Sequence, residues 1–174
     1  MILSDKDIIK LLKREKLIII PSPKDFDICC NHINLHLDNK LLKYMTKILD
    51  LKEDKVQTKE ITISEQGYKL KPGEFLIGST IEKLTIPNGY LGFIETKGNI
   101  ARAGIQAHNT DGHIDPGFIG NITLEIKNNS KHSIVIYPKM AFVQIYFFKA
   151  TSKSLRPYAG KYQNQKGGTV YIKD

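Results

Sequence analysis

Ile114-Asp115-Pro116-Gly117-Phe118-Ile119-Gly120-Asn121-Ile122-Thr123-Leu124-Glu125-Ile126-Lys127 reads as a sharp turn that feeds a strand. Asp115-Pro116-Gly117 has the residue types of a tight reversal. Asn121–Lys127 then alternates, with Leu124 and Ile126 on one face and Thr123, Glu125 and Lys127 on the other. The fold class follows from how often this pattern recurs on either side.

Outward from this stretch, strand-like runs fall at Lys59–Ile63, Gly73–Gly78, Tyr90–Glu95, Ser133–Tyr137 and Ala141–Phe148. Lys71-Pro72-Gly73, Pro87-Asn88-Gly89, Asn128-Asn129-Ser130 and Pro138-Lys139 punctuate them as turns. Short strands at roughly 8–12-residue spacing predict a sandwich, barrel or jelly roll rather than alternating strand and helix units. Near the start, Ser4 is placed to cap a helix over Asp5–Lys13, with Asp5 and Asp7 in its first turn. Ile8, Ile9, Leu11 and Leu12 form its apolar stripe. A second short helix is predicted near Asn39–Tyr44. From Tyr158 the chain is rich in Gly, Gln, Lys and Asn and reads as a flexible segment able to order over a ligand or neighbour.

At 174 residues the chain is expected to form one domain with a full hydrophobic core. No apolar run approaches the roughly 18–20 residues of a membrane helix, and charges scattered through the first twenty residues argue against a signal peptide. Cys29 and Cys30 are adjacent, which predicts no disulfide framework and a cytoplasmic chain. The net charge of +8 admits nucleic acid or anionic substrates. The lysines are dispersed, however, with no basic tail, so nucleic-acid binding is the weakest of these readings. The histidines lack a thiolate pair, and no zinc-deaminase motif occurs, so zinc is not expected.

The chemistry-bearing residues concentrate between Glu95 and Asn128. Glu125, between Leu124 and Ile126, is either a partly desolvated proton shuttle or a solvated carboxylate paired with Lys127 or a cross-strand lysine. Arg102, between Gly98 and Gly104, is either a surface arginine or a fork for a phosphate or carboxylate. Asp115 reads first as a turn former.

Four blocks resemble the dCTP deaminase branch of the dCTP deaminase–dUTPase superfamily. They are Met1–Ile8, Ile100–Ile105 with His108, Ile114–Ile126, and Arg156-Pro157-Tyr158 with Lys161–Gly167. The resemblance spans the chain. It implies a mainly β, distorted jelly-roll or barrel domain over residues 1–174, with 158–174 closing over the nucleotide. It also implies a homotrimer with sites between subunits. Its reaction is zinc-independent deamination of dCTP to dUTP. By the same resemblance Glu125 would activate water, Arg102 would orient the site and Asp115 would lie near the sugar. Gln144 and the clasp residues Tyr158, Lys161, Tyr162 and Gln165 would hold the triphosphate, with Mg2+ riding on its phosphates. Lys97, Gly98, Asn99, Asp111, Gly112 and His113 would complete the nucleotide site.

The chain departs from that pattern at several places. Lys97 stands where the family has an arginine, Gly98 where it has a serine, and Asn34 where an early block has an acid. Gly112 stands where dUTP-hydrolysing and bifunctional members carry glycine, whereas Leu124-Glu125 points to deamination. A dUTP diphosphatase, a bifunctional dUMP-forming enzyme and a non-catalytic nucleotide-binding regulator are therefore the alternatives.

Overall fold

The computed structural model describes residues 1–14, 16–53 and 55–173. Asp174, the last residue of the predicted closing segment, lies outside them. Helix α1 spans Asp5–Lys13, and strands follow at Ile18–Ile20 (β1), Ile28–Cys29 (β2), His32–His36 (β3), Lys40–Tyr44 (β4), Thr58–Thr62 (β5), Tyr68–Leu70 (β6), Phe75–Thr85 (β7) and Tyr90–Thr96 (β8). A short helix α2 covers Gly98–Arg102. The remaining strands are Ile105–Gln106 (β9), His113–Ile114 (β10), Ile119–Asn128 (β11), Ile134–Ile136 (β12) and Ala141–Lys149 (β13).

Two sheets form the body. One runs in the order β5-β4-β7-β11-β9, with β1 also on β7; the other runs β10-β8-β13-β3-β2. A small β12-β6 ribbon sits apart. The pairings are antiparallel. This is the expected jelly-roll class. The sheets share a core in which Leu35, Leu37, Leu41, Leu76, Leu124, Ile126, Phe142 and Ile145 are fully buried. Each such side chain contributes about 1.5–3 kcal/mol relative to exposure.

Chain crossings explain the differences from the sequence reading. Residues 39–44 are strand, not helix: β4 pairs with β5 from Lys40↔Thr62 to Tyr44↔Thr58. Leu37 N–H donates to Met140 O, whereas Asp38 N–H donates to Ser79 O, so the chain changes sheets at this corner. Non-local ladder bonds outweigh the weak helical preference of six residues. The run predicted over Gly73–Gly78 is longer and later, extending to Thr85, because β11 supports it along its length. Strands β1, β2, β3, β6, β9 and β10 were not predicted. In α1, Ile8 and Leu11 are buried while Ile9 is 37% exposed, so the stripe is narrower than expected. Ser4 occupies the N-cap, but its side chain makes no capping hydrogen bond.

Candidate active site

A cavity of about 330 Å³ lies against the β4-β7-β11 part of the larger sheet, within the range of small-molecule sites. Tyr44, Phe75, Ile77, Thr123 and Glu125 line it from the strands, and Asp111, His113, Asp115 and Phe118 from the segment around β10. Tyr158, Tyr162, Gln165, Thr169, Val170 and Tyr171 enclose it from the C-terminal segment.

Alternation along β11 puts Leu124 and Ile126 at zero exposure and leaves Glu125 half-buried toward the cavity. Glu125 Oε2 accepts the N–H of Asn109 at 2.6 Å, a short charge-assisted bond that sets the carboxylate's direction. Among the described residues no ion pair joins Glu125 to a lysine. Glu125 N–H donates to Ala107 O, which binds the 107–109 segment to this strand. Asn109 carried no motif in the sequence; its role comes only from that close approach.

Asp115 lines the same cavity and closes its turn by accepting Phe118 N–H. Gly117 takes φ +93°, and a Cβ there would stand 2.8 Å from Pro157 Cβ. The turn and the Arg156-Pro157-Tyr158 block therefore pack directly. Asp111 and His113 pair at 2.7 Å on the exposed rim. Gly112 lies between them; a Cβ there would come within 2.9 Å of Ile94 O, so the fold leaves no room for a side chain.

The C-terminal segment packs against the turn and the larger sheet. Tyr158 N–H donates to Pro116 O at 2.8 Å, and Gln165 Nε2 donates to Asn121 O at 2.7 Å. Thr169 N–H reaches Thr123 Oγ1, and Tyr171 N–H reaches Tyr44 OH. Thr123 shares a strand face with Glu125, which alternation alone could have flagged; Tyr44, Phe75 and Thr169–Tyr171 had no local signal. Lys161 is placed differently. Its Nζ donates to Ile172 O at 2.6 Å and lies 5.7 Å from the Tyr162 ring centre, outside the cavity lining.

The other expected residues form a second group. Lys97 is the N-cap of α2, and Gly98, Asn99 and Arg102 belong to that helix. A Cβ on Gly98 would stand 3.3 Å from Arg102 Nη1, so the missing serine side chain leaves space for the guanidinium. Lys97 Nζ and Gln144 Nε2 approach the same atom, Asn34 Oδ1, at 3.4 and 3.5 Å. None of Lys97, Gly98, Asn99, Arg102 or Gln144 lines the cavity that holds Glu125. The structure thus divides the expected site into two groups.

Among the described residues, no cluster of three or more His, Cys, Asp or Glu is arranged to hold a metal ion, and no helix is long and apolar enough to cross a membrane.

The chain and its fold match known proteins. A family model described as dCTP deaminase-like matches residues 2–150. The chain belongs to the dCTP deaminase-like family. A "dCTP deaminase, dUMP-forming" of Dictyoglomus turgidum is 38% identical over 184 residues, covering 98% of this chain and 93% of the relative. The crystal structure of 2′-deoxycytidine 5′-triphosphate deaminase from Agrobacterium tumefaciens aligns with a TM-score of 0.65 and 22% identity. That alignment covers 84% of this chain and 47% of that one, so the chain spans about half of its length. A mutant dUTPase of Staphylococcus bacteriophage 80alpha aligns with a TM-score of 0.53 and 14% identity, over 80% of this chain and 94% of that one. At these identities the two structures bear on the fold, and they support the dUTPase-like jelly roll of this dCTP deaminase-like protein.

Proposed function

We propose that the protein is a hydrolase that deaminates dCTP and carries the product on to dUMP, releasing ammonia and pyrophosphate. The observation that carries this reading is Glu125, aimed by Asn109 N–H into the cavity that Asp115 also lines. In the first step a water oxygen adds to C4 of the cytosine. Glu125 takes the water's proton and returns it to the departing amine, which leaves as ammonia. In the second step Asp115 takes a proton from a water that attacks the α-phosphorus, and pyrophosphate leaves. The side-chain-free Gly112 and the dUMP-forming relative favour this two-step outcome over a halt at dUTP.

The division into two groups supports a site shared between copies. Lys97, Arg102 and Gln144 of a neighbouring copy would complete the cavity with cationic and amide donors for the triphosphate. We infer an oligomer on this ground, and a homotrimer from the family resemblance. A magnesium ion would be held chiefly by phosphate oxygens, with the cavity-lining Asp111 and Asp115 as nearby oxygen donors. There the ion would neutralise phosphate charge. The free thiols of Cys29 and Cys30 suit a reducing, cytoplasmic compartment.

Product analysis with dCTP and with dUTP, each with magnesium, tests the reading. The expected products from dCTP are ammonia, dUMP and pyrophosphate. Glu125→Gln should lower ammonia release by about a thousandfold while leaving dUTP cleavage measurable. Formation of dUMP from dUTP without ammonia from dCTP would make the protein a dUTP diphosphatase. Binding of both nucleotides without turnover would make it a non-catalytic regulator.

A further inference from the structure

Sheet register lays a polar row on one face of the five-stranded sheet. Asn34, Gln144 and Glu95 are cross-strand partners, and Tyr146 pairs with His32 in the next row, followed by Cys29. Asn34 is 7% exposed. Its hydrogen-bond directions, and those of its neighbours, follow from one group that can only donate. Lys97 Nζ faces Asn34 Oδ1 at 3.4 Å, so that atom is an acceptor and Asn34 Nδ2 turns to Cys29 Sγ. Gln144 Nε2 lies 3.5 Å from the same Oδ1, which places the donor end of its amide on this side, and Tyr146 OH lies 3.5 Å from Gln144 Oε1. The amide nitrogen is 2.7 Å from His32 Nε2. Two donors cannot meet at that distance, so His32 Nε2 carries no proton. The ring proton is on Nδ1, 3.0 Å from the acceptor Asn31 Oδ1.

We propose that His32 is a positioning residue for nucleotide binding: as a neutral acceptor it holds the Gln144 amide with an N–H presented beside Lys97 to a phosphate oxygen. This rests on the reading that Lys97 and Gln144 receive the triphosphate. The second N–H of the amide faces Asn34 Oδ1 at 3.5 Å, a long contact that an anion can displace. Protonating His32 would turn Nε2 into a donor. The amide would then rotate, and its oxygen would face the phosphate.

Burial, and then the Lys97 charge, hold the His32 pKa below its ordinary value of 6.5. The positioning form therefore predominates at neutral pH and is lost as pH falls through the lowered His32 pKa. The titratable groups facing His32 are Lys97 ahead of α2, Cys29 on β2 and Tyr146 on β13; Glu95 lies one strand further, engaged with His108.

Nitrogen-15 NMR of the full chain labelled at histidine tests the tautomer without any turnover, with His32→Gln for assignment. Near pH 7.5 the expected state of His32 is protonated Nδ1 and bare Nε2, with the Nε2 resonance moving in Gln144→Leu. An Nε2–H tautomer, or an imidazolium, at that pH overturns the proposal. Kinetics with dCTP then test the consequence. His32→Leu should raise KM by about fivefold, the worth of about one hydrogen bond, with little change in kcat. His32→Gln supplies an acceptor that does not titrate. It should hold KM near the wild-type value and abolish the rise in KM expected of the wild type as pH falls below 6.5. An unchanged KM in His32→Leu, or the same acid rise in His32→Gln, overturns the positioning role. Absence of turnover of both nucleotides by the wild type would instead defeat the proposed function, and the NMR result would still judge the His32–Gln144 contact.

Discussion

Glu74 shows how one carboxylate ties local elements together. It accepts from Lys43 Nζ at 2.7 Å, Tyr68 OH at 3.0 Å and Lys71 N–H at 3.1 Å. Burial works to raise its pKa, but these donors together outweigh burial and leave it below the ordinary carboxyl value. Burial, followed by the bond to Glu74, pushes the Tyr68 pKa up to about 12. The signs fix two pH windows. As pH falls, the unfolded carboxyl protonates before the folded one. The Glu74 contribution is therefore full above the unfolded pKa and lost as pH falls through the folded value. As pH rises past the ordinary tyrosine value of 10.0, the unfolded phenol ionises while the folded one resists. The Tyr68 contribution is thus lost between about 10 and about 12. Glu74→Gln should cost about 1–2 kcal/mol in urea unfolding at pH 7, and less in acid. Tyr68→Phe should blunt the alkaline loss; an unchanged alkaline limb would remove Tyr68 as its cause. At this scale Glu125 was legible because a strand has period two. Its partner Asn109 was not, because a backbone N–H looks the same at every position in a sequence.

Among the elements, α1 was read correctly in its bounds and incorrectly in its capping. Asp7 and Ile8 N–H groups go to the Ser4 carbonyl, and the Ser4 hydroxyl makes no cap bond. Ser4→Ala should therefore cost less than about 0.5 kcal/mol, against about 1 kcal/mol for a working cap. A thermal or urea measurement showing the full loss would mean that the hydroxyl caps in solution. The strand β4 was misread because Leu41-Leu42 between lysines fits a helical face as well as a strand, and length could not arbitrate over six residues. Its true state is set by partners β5 and β7, which lie far along the chain. The C-terminal segment was read as flexible from its composition. In the fold, Gln165 and Thr169 attach it to β11 through backbone groups and Thr123, and Tyr158 and Tyr162 pack against the hydrophobic core.

For the whole molecule the governing feature is the separation of Glu125 and Asp115 from Lys97, Arg102 and Gln144. If neighbouring copies join these groups, solution mass measurement should give a trimer, and two inactive variants should rescue each other. Coexpressed Glu125→Gln and Arg102→Ala chains should form mixed trimers. By random mixing about a quarter of their sites would carry both native residues, and activity should return to about that level. Mixed trimers with no more activity than either parent would place the complete site within one chain.

The fold class, the strand that carries Glu125, the turn at Asp115 and the residue types around them were determined by the sequence alone. They depend on alternation and turn chemistry, which operate over a few neighbouring residues. The change of sheets at Leu37–Asp38, the aim of Glu125 by Asn109, the closing of the tail on Thr123 and the His32–Gln144–Asn34–Lys97 chain were decided only by the tertiary structure. Each depends on a hydrogen bond between groups brought together by strand register or chain return, and no local pattern of residues records which distant group will arrive.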